Sequence, residues 1–143
     1  MARSVAEGKL VVPSRLDQVA EVEQRILADL AELGYEERDQ FAVKLSLEEA
    51  LANAIKHGNA ANPDKQVSVR YHITPSEVQI EVCDQGPGFS PDDVPDPTLD
   101  ENLEKPFGRG VMLMRAYMSD VSYNTSGNCV LMVKRRSSDA TDP

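Results

Sequence analysis

The run Leu47–Asn59, which reads LEEALANAIKHGN, decides the fold of this chain. Its pattern predicts a helix from about Glu37 to His57 that ends at Gly58-Asn59. At steps of three and four, polar side chains fall on one stripe of this helix, and apolar side chains fall to one side of it. The polar set is Ser46, Glu49, Asn53 and His57, and the apolar set is Val43, Leu47, Leu51, Ala54 and Ile55.

Glu49 and Asn53 lie one turn apart and form what we call the carboxylate–amide pair. The amide oxygen of Asn53 is a hard neutral ligand for a magnesium ion, and the carboxylate of Glu49 can accept a proton from an attacking hydroxyl or water. The pair therefore suits a magnesium nucleotide. The alternative is an ordinary polar stripe that faces solvent, because surface helices often carry such pairs.

A second motif follows a buried strand, in the run Val82–Phe89, which reads VCDQGPGF. Asp84 at the strand end can accept a hydrogen bond from an exocyclic amine such as that of adenine. Gly86 and Gly88 let the backbone turn sharply beside a base. The alternative is a glycine turn in which the aspartate caps its own loop.

The third motif is the run Phe107–Met114, which reads FGRGVMLM. Gly108 and Gly110 open a predicted helix, and free amides at such a start can hold phosphates. Arg109 adds positive charge there. A flexible hinge before a core helix is the alternative, because the glycine pattern alone has little specificity.

The remaining pattern predicts an α/β (α+β) two-layer sandwich, in which helices cover one face of a mixed, mostly antiparallel sheet. A first helix should run from Leu16 to Leu33 after a cap at Ser14, and Val111–Met118 should form a short helix. The predicted strands are Lys9–Val12, an edge strand stopped by Pro13, then Val67–Ile73, Val78–Val82, Val121–Tyr123 and Cys129–Val133. Residues 74–77 should join the second and third strands as a hairpin.

A long loop over about residues 85–110 is rich in proline and acidic residues and has little apolar periodicity, which is typical of a functional lid. We therefore expect a flexible N-terminus over residues 1–8, one domain over 9–134 that contains this lid, and a flexible tail over 135–143.

The composition disfavours several classes of function. The formal net charge of −9, from 24 acidic and 15 basic residues, disfavours direct contact with nucleic acid. The chain has no run near the ~18 apolar residues of a membrane span and no apolar signal core, which favours a cytoplasmic protein without a membrane partner. Cys83 and Cys129, both in apolar runs, favour buried reduced thiols over a disulfide or a metal site.

With the three motifs in this order, residues 9–134 resemble the gyrase and histidine-kinase (GHKL) ATPase superfamily, with its N-box and two glycine boxes. The run Leu47–Asn59 and the lead-in over residues 9–34 are most similar to the anti-sigma-factor serine/threonine kinases. The resemblance implies that Glu49 is the catalytic base, that Asn53 binds Mg²⁺ and that Asp84 recognises the adenine of ATP. It also places two further sets beside the nucleotide: the basic residues Lys56 and His57 near the phosphates, and Gly86, Gly88, Gly108 and Gly110 around the nucleotide and lid.

The resemblance also implies partners. Such a kinase binds a sigma factor and phosphorylates an anti-anti-sigma (STAS) protein, and it forms a homodimer. Two departures bear on this. Where kinases of the family often carry an arginine before the second glycine box, this chain has Lys105-Pro106-Phe107, so Lys105 or Arg109 would neutralise the γ-phosphate. Where relatives have Gly-Thr in the last strand, it has Gly127-Asn128, so Asn128 would supply the polar contact.

Two alternatives remain at this point. A non-catalytic ATP-binding module could use the nucleotide to order residues 90–108 for a partner without phosphate transfer. The ATP domain of a sensor histidine kinase would need a phosphoacceptor helix pair upstream, and about eight residues precede the first predicted strand.

Overall fold

The computed structural model describes residues 4–60, 62–86 and 106–137, and for 106–109 it describes the backbone only. Five strands form one sheet: β1 (Ala6–Pro13), β2 (Gln66–Ile73), β3 (Glu77–Cys83), β4 (Asp120–Tyr123) and β5 (Cys129–Arg135). Their order is β1-β2-β3-β5-β4, so β1 is an edge strand as predicted. Every pairing between these strands is antiparallel, and the part of the sheet described here therefore has no parallel component.

Three helices accompany the sheet: α1 (Val19–Glu32), α2 (Glu37–Asn53) and α3 (Pro106–Tyr117). A 3-10 turn over Leu16–Gln18 leads into α1, and a π-helical turn over Ala54–Gly58 follows α2. Across the described ranges, no helix combines the length and the apolar character that crossing a bilayer requires.

The hydrophobic core lies between the helices and one face of the sheet. Along β2 and β3 buried and more exposed residues alternate, as expected for strands covered on one side only. The buried sheet residues include Val67, Val69, Tyr71, Ile73, Val78, Ile80, Val82, Val130 and Met132. The buried helix residues include Val22, Ile26, Leu30, Val43, Leu47, Leu51 and Met114. The two-layer α+β fold predicted from the sequence is confirmed.

The chain differs from the prediction at both ends of the domain. β1 begins at Ala6 rather than Lys9, and β5 continues to Arg135, inside the expected flexible tail. Beyond β5, the guanidinium of Arg136 donates to the carbonyl oxygens of Leu33 and Gly34 at the end of α1. Ser137 donates from its N–H and its hydroxyl to the buried carboxylate of Asp39. These bonds fix residues that composition alone assigns to a tail; residues 138–143 lie outside the described ranges.

Two other predictions about local structure were wrong. Ser14 makes no cap for the first helix: the turn that precedes α1 has no side-chain cap, and Ser14 Oγ is buried without a hydrogen-bond partner among the described residues. The predicted reduced thiols are joined, because Cys83 and Cys129 form a disulfide. They face each other directly in the β3–β5 register, and a register between strands 46 positions apart cannot be read from the sequence.

The third helix begins earlier than predicted. α3 starts at Pro106 instead of Val111, so the last five residues of the expected lid are helical. Proline suits the first position of a helix, where a backbone N–H would have no intrahelical partner. Residues 85 and 86 of the expected lid are described, and residues 87–105 fall outside the described part of the chain.

Candidate nucleotide site

The carboxylate–amide pair lies on the last turns of α2, directly against α3. A Cβ atom placed on Gly110 would lie 2.9 Å from Glu49 Oε2 and 3.1 Å from Asn53 Nδ2. A side chain at this position would crowd the ends of both members of the pair, so glycine favours this close approach of the α3 backbone. The structure thus brings the first and third motifs together, although they are more than fifty residues apart in the chain.

Gly110 takes part in this site through its lack of a side chain, and not through a free amide as we predicted. We expected its amide to be free at the start of a helix, but it is the fifth residue of α3 and lies past the four N–H groups that lack intrahelical partners. Its role in this geometry is the close approach to the pair. Gly108 and Arg109 lie in the first turn of α3, where free amides occur, and their side-chain surroundings are not described.

Asn53 has the chemistry of a ligand for a polar group. Its Nδ2 atom is buried and has no hydrogen-bond partner within the described ranges. Rotation of the amide by 180° exchanges Nδ2 and Oδ1, so the side chain can present either a donor or a hard oxygen ligand. A buried polar atom left without a partner costs free energy, which a bound magnesium nucleotide would recover. This side chain therefore fits the Mg²⁺ ion that the resemblance to the GHKL ATPases implies.

The other polar residues of the predicted stripe have different surroundings. Ser46 is fully buried, and its Oγ lacks a partner in the part of the chain that the structure describes. Lys56 and His57 are exposed on the π-helical turn, one turn beyond Asn53. The stripe thus changes from core to surface along its length, and its two basic residues lie on the solvent side. The apolar set beside it is buried throughout, as predicted.

The π-helical turn brings the second motif to the end of the same helix. π turns are rare and often mark functional sites. A Cβ atom on Gly58 would lie 2.2 Å from the carboxylate of Asp84, and one on Gly86 would lie 1.8 Å from the carbonyl oxygen of Gly58. A side chain on Gly58 would displace this carboxylate, and one on Gly86 would collide with backbone. Asp84 therefore lies against the segment that also carries the carboxylate–amide pair.

Asp84 is held from both sides along the backbone. Its N–H donates to the carbonyl oxygen of Asn128 at 2.8 Å, and its Oδ1 accepts from the N–H of Gly86 at 2.8 Å. Burial raises the pKa of Asp84 above its usual range, while the Gly86 N–H bond and the charge of Lys65 act in the opposite direction. A half-buried carboxylate has a strong requirement for a donor, and an exocyclic amine would meet it.

Asn128, the residue predicted to contact adenine with its side chain, is engaged within its own turn. Its Oδ1 accepts from Asn124 Nδ2 at 2.8 Å, and its N–H donates to Asn124 Oδ1 at 3.0 Å. Its link to the site is the backbone bond to Asp84. Gly88 and Lys105, also predicted at the nucleotide, lie outside the described ranges.

Two residues next to Asp84 and Gln85 were not predicted as part of the site. Gly58 and Asn59 were predicted only as the stop of a helix. The structure places Gly58 against Asp84 and buries Asn59 completely. A glycine and an asparagine after a helix are normal stop signals, and nothing else in the sequence distinguishes these two.

Comparison with known proteins decides the family. A family model described as "Histidine kinase-like ATPase domain" matches residues 12–134, which include all three motifs. The chain belongs to this family. Among its relatives is the serine-protein kinase RsbW of Bacillus velezensis, which is 27% identical over 99% of this chain and 93% of that protein. RsbW of Bacillus subtilis is 25% identical over 94% of this chain and 88% of that protein.

A solved structure supports the fold. The structure of the RsbU and RsbW domains of Rv1364c from Mycobacterium tuberculosis superposes with a TM-score of 0.63 and 15% sequence identity. It covers 92% of this chain, which spans about a third of that longer protein (32%). The histidine kinase-like domain described here thus shares its architecture with part of a larger protein.

Proposed function

We propose that this protein is an ATP-dependent serine/threonine protein kinase that acts as an anti-sigma factor. It would bind a sigma factor and phosphorylate an anti-anti-sigma STAS protein, which would then lose its ability to release that sigma factor. The histidine kinase-like family accounts for ATP use, and relatives named serine-protein kinase RsbW point to the acceptor.

The observation that carries the proposal is the convergence on one helix end. Gly110 allows α3 to lie against the carboxylate–amide pair, and Gly58 allows Asp84 to lie against the following turn. One nucleotide can then contact Asp84 with its base while its phosphates extend toward Asn53. Neither close approach is required by a helix that is merely polar on one side, so the arrangement favours a site over a solvent-facing stripe.

The proposed chemistry assigns one task to each side chain. Asn53 would hold Mg²⁺, which supplies charge neutralisation of the phosphates when bound. Glu49 would orient the hydroxyl of the acceptor serine or threonine and accept its proton. The hydroxyl oxygen would then form a bond to the γ-phosphorus as the bond between that phosphorus and the bridging oxygen of ADP breaks. Lys56, His57, Lys105 and Arg109 would stabilise the negative charge on the phosphates.

Phosphate transfer to purified STAS proteins from the same genome tests this proposal. The wild type, with labelled ATP and Mg²⁺, should label at least one of them on serine or threonine. Glu49→Gln should lower the rate roughly a hundredfold or more, as expected for loss of a general base. Glu37→Gln, which neutralises an exposed carboxylate at the other end of α2, is the matched control and should leave the rate unchanged. Absence of transfer to every STAS protein would exclude the kinase proposal.

A non-catalytic ATP-binding module is the second candidate, favoured by Lys105-Pro106-Phe107 where kinases often place an arginine. In that case ATP would change sigma-factor or STAS binding without any transfer. Asn53→Ala separates the two candidates. The kinase is supported if this change abolishes transfer but leaves partner binding dependent on the nucleotide.

We also propose that the protein forms a homodimer through β1. This strand is an edge of the sheet, and Val11 on it is 51% exposed. An apolar edge strand readily pairs with another chain. Light scattering should give the mass of a dimer for the wild type and a shift toward monomer for Val11→Lys. A wild type that is monomeric at all concentrations tested would exclude the dimer.

A further inference from the structure

Asn59 is a fully buried polar residue directly after the π-helical turn, with 0% exposure. Its backbone is fixed in place: its N–H donates to the carbonyl oxygen of Ala54 at 2.8 Å, and its own carbonyl oxygen accepts from the N–H of Asn62 at 3.0 Å. The first bond spans five residues and closes the π-helical turn. The side chain of Asn59 therefore projects from a rigid base.

That side chain joins three separate segments of the chain. Its Oδ1 accepts from the N–H of Gln85 at 2.8 Å, and its Nδ2 donates to the carbonyl oxygen of Gln66 at 2.9 Å. Gln66 and Gln85 are also bonded to each other, because the Gln66 N–H donates to Oε1 of Gln85 at 2.7 Å. Both functional atoms of one amide thus join the turn after α2, the start of β2 and the second motif.

The bond to Gln85 acts on Asp84, its neighbour in the chain. The backbone on one side of Asp84 is bonded to Asn128, and the backbone on the other side is bonded to Asn59. The hydrogen bond from the Gln85 N–H to Asn59 connects this backbone to the end of the helix that carries the carboxylate–amide pair. A buried amide with both groups satisfied is well suited to fix such a distance.

We propose that Asn59 is a positioning residue that sets Asp84 relative to the carboxylate–amide pair and thereby determines adenine selectivity. The inference rests on the proposed function, in which Asp84 accepts from the exocyclic amine of adenine. Guanine presents a carbonyl oxygen at the corresponding position, which a carboxylate repels. If Asp84 shifts, its favourable contribution to ATP binding and its unfavourable contribution to GTP binding should both decrease.

The test is calorimetric binding of ATP and of GTP to the full chain, at a temperature where each variant is folded by circular dichroism. Asn59→Ala should weaken ATP binding by about tenfold and reduce the ratio of ATP to GTP affinity by a similar factor. Asn59→Ser, which replaces the amide by a hydroxyl that can still accept or donate one hydrogen bond, should show the same change in ratio to a smaller extent. It provides the measurement if the alanine variant does not fold.

Asn62→Ala is the matched control, since it removes another asparagine side chain three residues later, one that accepts only from the nearby Asp64 N–H among the described contacts. Its affinity ratio should equal that of the wild type. A folded Asn59→Ala or Asn59→Ser protein with the wild-type ratio, even at a lower melting temperature, would overturn the positioning role and leave the proposed function standing. A wild type that binds neither nucleotide would overturn both.

Discussion

Because Gly58 lies against Asp84, adding one methyl group by Gly58→Ala tests whether Asp84 contacts the nucleotide. In Gly58→Ala the new Cβ would lie 2.2 Å from Cγ and Oδ2 of Asp84 and 2.6 Å from Oδ1. Carbon and oxygen atoms that are not bonded need more than 3 Å, so the carboxylate must move away by about 1 Å. The backbone of Gly58 lies in a helical turn that alanine adopts readily, so the carboxylate is the group that moves.

A displacement of about 1 Å takes a hydrogen bond of ordinary length beyond its useful range. A hydrogen bond to a charged group contributes about 1.5–3 kcal/mol, so ATP binding should weaken by roughly 10- to 150-fold. The melting temperature should change little, because alanine also reduces the conformational freedom of the unfolded chain.

Calorimetric titration of ATP into Gly58→Ala, beside a thermal melt, measures both quantities. Gly8→Ala is the matched control, because its methyl group would also be crowded, at 3.0 Å, but by the ring hydroxyl of Tyr71 in β2. It should bind ATP like the wild type. If Gly58→Ala binds ATP with unchanged affinity, Asp84 does not contact the nucleotide.

Three further predictions concern other parts of the site and the core. Gly110→Ala should slow phosphoryl transfer roughly tenfold with little loss of stability, because its Cβ would crowd only the ends of the carboxylate–amide pair; Met112→Ala, an exposed change on the same helix, should have no effect. Burial and a neighbouring carboxyl group raise the pKa of Glu23 to about 7, so the folded state retains a proton that the unfolded state releases. The free energy of unfolding should thus fall by about 2 kcal/mol between pH 4.5 and 7, and urea titrations should show that Glu23→Gln removes this fall while Glu21→Gln keeps it. Burial raises the pKa of Asp84, so acidification should protonate this carboxylate at a pH above the usual aspartate range. ATP affinity should weaken in that pH range. Asp84→Asn should bind ATP more weakly at every pH, and its affinity should not fall with this protonation.

Much of the fold could be predicted because its signals are local. The alternation in β2 and β3 and the helical spacing in α2 identified these elements to within a few residues. The predicted strand Val78–Val82 placed Asp84 just beyond a strand end, and β3 indeed ends at Cys83. Periodicity reports which side chains share a face, and that was sufficient for a two-layer fold.

The features that escaped prediction depend on contacts between distant segments. The disulfide requires the β3–β5 register, and the positions of Arg136 and Ser137 depend on their bonds to Gly34 and Asp39. The same holds for the site. Its motifs were recognisable one at a time, but the roles of Gly58 and Asn59 follow from the return of Asp84 and Gln85 to the end of α2.

The most direct test of ATP binding at this site is calorimetry with and without Mg²⁺ on the wild type, Asp84→Asn and Asn53→Ala. We expect the wild type to bind ATP more tightly with Mg²⁺, Asp84→Asn to weaken binding in both conditions, and Asn53→Ala to lose the effect of Mg²⁺. No binding by the wild type, or binding that neither substitution alters, would contradict the assignment of this site to ATP.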